Sequence, residues 1–293
     1  MLDSDAQHEL NREYYETLAS GRDDYWRKMA APRHRVAEIV ALLKDSPPKS
    51  LVDLGCGNGR LLEELAKRLP VRDLAGIDLS SAQIESNQRR VPRIEWLPLD
   101  LEKPVPASLK LAGRFEVVVA SEILEHLASP EEFLRRAAEL AQPRAGRLVL
   151  STQSGAIRET ERRVGHVRHF ASDEIRTLLE RAGWTPVRVW NTGFPFHDLS
   201  KWWANLDPDH TMERFGGRAY GVRESVVAFL LRMAFTLNSR SRGSQLFALA
   251  RREGSESNET GELHRQAPPL ENSGSPRPVA WPSLYTTRKS LPG

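Results

Sequence analysis

Cysteine is almost missing from this chain: Cys56 stands alone among 293 residues. A single thiol permits no internal disulfide and no cysteine-rich zinc site. Long apolar runs are missing as well. The longest, Val226–Leu237, is broken by Arg232 and falls short of the roughly 20 residues that a bilayer-spanning helix needs. Met1–Leu10 is polar and acidic, without the apolar stretch of a secretory leader, so the sequence reads as that of a cytoplasmic protein with no membrane span. Charge of one sign is scarce too. A formal net charge of +3 over this length does not call for nucleic acid, and no tract interleaves basic and aromatic residues as a single-strand binder would. The remaining composition, 28% charged and 40% apolar, is that of a globular protein, and the length suits one large α/β domain with appendages.

The stretch Leu51-Val52-Asp53-Leu54-Gly55-Cys56-Gly57-Asn58-Gly59 organises the rest. It reads as a short buried strand that breaks into a glycine turn and then opens a helix. Glycines at alternate positions let the backbone turn sharply and come close to a ligand. The dinucleotide pattern G-x-G-x-x-G fails here, because the third glycine comes one residue early and Arg60 takes its place. The phosphate loop G-x-x-x-x-G-K-[ST] is absent. Asp53, just before the turn, suits a cationic ligand better than an anionic one.

Around this turn, apolar runs alternate with helical periods. Strands are expected at Ser50–Leu54, Leu74–Asp78, Ile94–Leu97, Phe115–Ala120, Arg147–Ser151 and Pro186–Trp190. A helix starting at Pro32 carries Val36, Ile39, Val40 and Leu43 on one face, and another follows the glycine turn with Leu61, Leu62, Leu65 and Leu69. Further helix starts fall at Ser80, with Gln83 completing a capping box, at Ser129-Pro130, and at Ser172-Asp173-Glu174. Regular alternation with short connections predicts a doubly wound, Rossmann-like sheet with helices on both faces. Residues 1–46 are expected to form an N-terminal helical cap, in which Tyr14, Tyr15, Tyr25 and Trp26 are anchoring rings. From Glu253 onward Pro, Ser, Gly and Glu dominate, and residues 253–293 read as a disordered tail.

The glycine turn resembles motif I of the class I S-adenosylmethionine-dependent methyltransferases, (V/L)-D-(L/I)-G-C-G-x-G, residue for residue. The resemblance covers about residues 33–192 and 243–252. It implies a methyltransferase domain over 47–252 with a seven-stranded sheet, whose last strand, Ser244–Arg251, runs antiparallel beside the sixth. Residues 194–242 then form an insertion between strands six and seven, a candidate substrate cover or a homodimer contact. It also implies cofactor roles. Gly55, Gly57 and Gly59 bring bare backbone to the cofactor, and Asp53 lies near its ammonium group. Asp78 accepts from the ribose hydroxyls, Leu79 packs on the adenine, and Asp100 with Leu101 reads the adenine edge. Ser121 and Glu122 close the site after strand four.

Ser121-Glu122-Ile123-Leu124-Glu125-His126-Leu127, if helical, puts Glu125 and His126 on one face with Glu122. Such a set could bind a divalent metal, supply a general base, or simply pack a helix start. The segment resembles both the ubiquinone-biosynthesis O-methyltransferases and the small-RNA 3′-terminal 2′-O-methyltransferases. In the latter an E-x-x-E-H set with a further His, here His166 or His169, holds magnesium. Gly165–Phe170 resembles the H-x-R-x-[FY] loop that lines acceptor pockets, which singles out His166 and Arg168. His126 and His166 are thus the candidate catalytic residues. The sequence therefore points to S-adenosylmethionine-dependent methylation of a small molecule at oxygen or nitrogen. A metal-dependent RNA 2′-O-methyltransferase and a non-catalytic S-adenosylmethionine-binding module are the alternatives.

Overall fold

In the computed structural model, which describes residues 24–216 and 219–253, two helices come first: α1 (Asp24–Lys28) and α2 (Ala30–Leu43). The chain then alternates: β1 (Ser50–Leu54), α3 (Arg60–Arg68), β2 (Asp73–Asp78), α4 (Ser81–Arg90), β3 (Glu95–Pro98), β4 (Val117–Ser121), α5 (Pro130–Leu140), β5 (Arg147–Gln153), α6 (Glu159–Arg163), α7 (Ser172–Arg181) and β6 (Trp184–Thr192). Three more helices, α8 (Phe196–Ala204), α9 (Pro208–Thr211) and α10 (Val222–Phe235), precede β7 (Gln245–Arg252). The part of the expected cap before Asp24, and the tail from residue 254, lie outside the described residues.

The strands form one sheet in the order β3-β2-β1-β4-β5-β7-β6. Strands β1 to β5 pair in parallel, and β7 runs antiparallel between β5 and β6. Parallel strands covered on both faces bury every side chain, which is why β1 is apolar along its length apart from Ser50 and Asp53. Successive residues point to opposite faces. Val52, Val118 and Leu148 meet Phe133 and Leu134 of α5 and Ile175 and Leu179 of α7. Leu51, Val117 and Val149 meet Ile39 and Leu43 of α2 and Leu62 and Leu65 of α3.

Several local expectations shift. β6 starts two residues earlier than its apolar run suggests, because buried Trp184 donates its indole N–H to the Leu134 carbonyl (2.9 Å) and pins the strand to α5. β4 starts two residues late, since Phe115 makes only a single bridge to Ala141. Ser80 caps α4 through the Gln83 N–H, but its own N–H goes to the Asp78 carboxylate (2.9 Å), so the capping box is half made. Ser129 makes no side-chain cap; its N–H donates to Glu102 instead.

The segment between β6 and β7 is helical, and its two ends cross at one neck. Gly193 N–H donates to Ser239 O (3.1 Å), Phe194 N–H to Arg242 O (2.9 Å), and Ser239 N–H back to Phe194 O (2.6 Å). Gly243 sits in this crossing at φ +133°, where a Cβ would collide with the Thr192 carbonyl.

Candidate functional site

Strand order reverses between β1 and β4, and a crevice opens beyond the carboxyl ends of strands at such a point. A cavity of about 580 Å³ lies there. Its floor comes from the turns after β1, β2, β3 and β4, and its roof from α1, α8 and α10.

The glycine turn forms one wall. Asp78, at the end of β2, reaches across to it: Oδ2 accepts from the Gly57 N–H (2.7 Å) and Oδ1 from the Ser80 N–H (2.9 Å). Each oxygen keeps acceptor capacity toward the cavity. Burial pushes the Asp78 carboxyl pKa up. Gly57 sits at φ +46°, with nothing within 4 Å of the place a Cβ would occupy. Bare peptide therefore faces open space. Gly55 plays a different part: a Cβ there would strike the Ile123 side chain, 2.7 Å away.

Of the expected cofactor residues, Gly55, Gly57, Asp78, Leu79, Asp100, Leu101, Ser121 and Glu122 line the cavity. Asp53 and Gly59 do not. Asp53 is buried within β1, and burial, with Asp78 adding repulsion, raises its pKa well above the usual range. Gly59 is the N-cap of α3 and packs against Trp96. Both shape the turn from behind.

The segment after β4 departs from the expected single helix. Glu122 has φ +55°, outside any helix, and only Leu124–His126 forms a short 3₁₀ turn. Glu122 is held by its surroundings: its N–H donates to Ser151 O (2.9 Å), and its carboxylate accepts from Gln153 Nε2 (2.5 Å) and Gln245 Nε2 (2.9 Å). Arg35 of α2 stands 3.7 Å away. Burial would raise this carboxyl, but Arg35, Gln153 and Gln245 outweigh it and bring it down to about 2. Glu122 is thus a fixed negative charge in the cavity wall. Such backbone strain at a non-glycine residue persists only where neighbours over-determine it.

Glu125 and His126 face another neighbour. The donor atoms of Glu125, His126 and His166 lie within 4.8 Å of one another. Of the metal set read from the sequence, Glu122 with Glu125, His126 and a further His, the fold gathers Glu125, His126 and His166, while Glu122 is held by its two glutamines. Glu125 Oε2 accepts from Thr152 Oγ1 (2.8 Å), while its Oε1 is buried without a hydrogen bond. Burial, then the charge of Glu122, push the Glu125 carboxyl up to about 8.

The histidines are ordered by one hydrogen-bond chain. His169 Nδ1 is 3.0 Å from the Gly155 carbonyl, and its Nε2 is 3.0 Å from His166 Nδ1. A carbonyl only accepts, so His169 carries its proton on Nδ1. Burial lowers the His169 pKa and keeps it neutral, so Nε2 accepts from His166 Nδ1–H. His166 Nε2 is left as a lone pair. Burial, then His126, depress His166 to about 2, and burial depresses His126 to about 4. Both His126 and His166 line the cavity. Arg168 does not; it reaches the Ala128 carbonyl (3.4 Å).

Some lining residues carried no sequence expectation. Lys201 of α8 bonds Glu161 Oε1 (2.5 Å) and Gln153 Oε1 (3.0 Å), tying the roof to the sheet. Arg35 sits on the buried side of α2 and stacks 5.5 Å from the Trp26 ring. A charge four residues before Ile39 on an apolar stripe was the available signal for Arg35. A glutamine at the end of one buried strand and another at the start of a second were the signal for Gln153 and Gln245.

The seven-stranded order, with β7 reversed and the cavity at the switch point, defines the class I methyltransferase architecture. A description of the methyltransferase domain matches residues 25–189, and the chain belongs to that family. The chain is 33% identical over 120 residues to the mitochondrial ubiquinone biosynthesis O-methyltransferase of Saccharomyces cerevisiae, covering 41% of this chain and 38% of that protein. It is 28% identical over 141 residues to the malonyl-[acyl-carrier protein] O-methyltransferase of Halalkalibacterium halodurans, covering 46% and 50%. The chain thus spans half or less of the length of these curated relatives. Among solved structures, the Burkholderia thailandensis 1,6-didemethyltoxoflavin-N1-methyltransferase, with bound 1,6-didemethyltoxoflavin and S-adenosylhomocysteine, has a TM-score of 0.54 at 17% identity, over 86% of this chain and 92% of that one. This likeness bears on the fold.

Proposed function

We propose that the chain transfers the methyl group of S-adenosylmethionine to a small-molecule acceptor at oxygen or nitrogen. One observation carries the reading: the Asp78 carboxylate and the open peptide face of Gly57 border the same empty space. A carboxylate with spare acceptor capacity fits a ribose diol, and an uncovered glycine fits close approach by a nucleoside. Asp100 and Leu101, in the next wall, fit the adenine. Family membership and the cofactor named for the toxoflavin enzyme support the assignment.

Bound there, S-adenosylmethionine would supply an electrophilic methyl carbon on a cationic sulfur. Glu122 presents a fixed negative charge to that cation. The acceptor's lone pair forms the new bond to carbon as the carbon–sulfur bond breaks, with its electron pair remaining on sulfur. For an oxygen acceptor, His166 Nε2 takes the proton that the acceptor loses. A neutral imidazole of low basicity suffices, because a methylated oxygen that still carries its proton is strongly acidic. Alignment of two reactants under a roof contributes up to roughly 7–11 kcal/mol. A cavity of about 580 Å³ closed over by α8 and α10 suits a small acceptor better than a polynucleotide.

Calorimetric titration with S-adenosylmethionine and S-adenosylhomocysteine tests the reading. The wild type is expected to bind both, and Asp78→Ala to lose affinity by more than about tenfold, since hydrogen bonds to a charged acceptor contribute roughly 1.5–3 kcal/mol each. Absence of binding by the wild type, or unchanged binding by the variant, overturns it. Tight cofactor binding without transfer to any compound in an acceptor panel would favour a non-catalytic module.

A further inference from the structure

Helix α10 is apolar on two sides. Ala228, Leu231 and Phe235 face the fold, and Leu231 lines the cavity. On the opposite side Val222, Val226, Phe229, Leu230 and Met233, continued by Leu237 just past the helix end, are between 50% and 82% exposed. Their spacing confines them to a stripe about 100° wide, the width that amphipathic helices normally bury. Helix α8 does the same on a smaller scale: Leu199, Trp202 and Trp203, with Leu206 beyond its end, are all exposed at i, i+3, i+4, i+7 spacing. The two helices touch, so the stripes belong to one roof.

Along α10 and the segment after it the charge is mostly of one sign, while exposed Asp207 and Asp209 follow Leu206 at the end of α8. Between residues 222 and 242 the charged residues are Arg223, Arg232, Arg240, Arg242 and Glu224. The single acid is engaged by Arg214 at 3.5 Å. All four arginines are exposed. Arg223 borders one side of the α10 stripe and Arg232 the other, where each can lay its aliphatic stem along apolar surface and keep its head outward.

We propose that the α8–α10 roof is a peripheral docking face for an anionic lipid surface. Its parts are an exposed apolar stripe, two tryptophans suited to the headgroup level, and flanking arginines that meet acidic headgroups. No helix among the described residues is long and apolar enough to cross a membrane, so the contact is made from one side. A second copy of the chain fits the face poorly. A twofold contact sets the same surface against itself, which brings the arginines beside the α10 stripe close to their own copies. Trp203 lies both on this face and in the cavity wall, so docking would set the roof side of the cavity against the lipid.

Co-sedimentation of the full chain with phosphatidylcholine vesicles, with and without phosphatidylglycerol, tests the proposal independently of any methyl donor. The wild type is expected to sediment with the anionic vesicles and to be released by high salt. Partition should fall roughly tenfold or more in Phe229→Ser/Leu230→Ser, which alters only exposed side chains, and in Arg232→Glu/Arg242→Glu. Circular dichroism confirms that both variants fold. Failure to sediment with either vesicle, equal binding to neutral vesicles, or unchanged binding of both folded variants overturns it. So does a dimer in analytical ultracentrifugation that Phe229→Ser/Leu230→Ser dissolves, because the face would then belong to a second copy.

Discussion

His169 holds His166 in one tautomer. The 3.0 Å contact between their rings, backed by the Gly155 carbonyl, leaves the His166 lone pair on Nε2. His169 is therefore a positioning residue for the proposed base. His169→Phe should lower kcat by about 10- to 100-fold, less than the roughly 10²- to 10⁴-fold that general base catalysis contributes in full, while the affinity for S-adenosylmethionine stays constant. His169→Gln, whose amide can both donate and accept, should recover much of the loss. Steady-state kinetics with calorimetry reads both. An equal loss of kcat in the two variants would reduce His169 to a packing residue.

Gly57 gives a second expectation. Its φ of +46° costs a residue with a Cβ about 1–2 kcal/mol, and that Cβ would enter the open space beside Asp78. Gly57→Ala should lower the melting temperature modestly yet weaken S-adenosylmethionine binding by more than about tenfold. Thermal denaturation and calorimetry separate the two effects.

The Glu125 carboxyl makes stability depend on pH. The folded chain holds a proton there that the unfolded chain releases above about 4.5, and the folded carboxyl ionises only near 8. The folded state thus binds more protons across that window, and rising pH favours unfolding. The contribution is present below about 4.5 and is lost by about 8. Glu125→Gln copies the protonated form, so its melting temperature should fall less steeply over this range than that of the wild type. Parallel curves would show that Glu125 is already ionised in the fold.

The same protonation bears on metal binding. A divalent ion at Glu125, His126 and His166 would have to displace the proton that burial holds on Glu125, and the site is expected to act without one near neutral pH. Activity should survive a chelator, and magnesium, manganese or zinc should not raise the melting temperature. A chelator-sensitive rate would turn His166 from proton acceptor into ligand and revive the metal-dependent alternative.

Much of this site was readable because the donor side is built locally. Gly55, Gly57 and Asp78 lie at strand ends, where the alternation of apolar runs and turns marks position. The reversal of β7 came with the family resemblance. What escaped was long-range. Glu122 leaves helical geometry because Gln153 and Gln245 claim its carboxylate from strands that are distant in sequence. Spacing within one segment cannot show that. The meeting of His166 with Glu125 and His126, which came only with the family resemblance, depends likewise on how the loop after α6 returns over β4. Asp53 reads as a ligand contact by adjacency, yet it is buried within β1 and does not line the cavity.

The clasp at Gly193–Phe194 and Ser239–Gly243 gathers both ends of the roof at a single point. Everything beyond that clasp can be lengthened, shortened or exchanged without breaking a sheet hydrogen bond. The backbone of that segment is thus independent of the sheet ladder, and side chains such as Lys201, bonded to Glu161 and Gln153, are what tie it back across the cavity. On the proposed function, changes in this segment alter the acceptor while the turns at Gly57 and Asp78 keep the same donor.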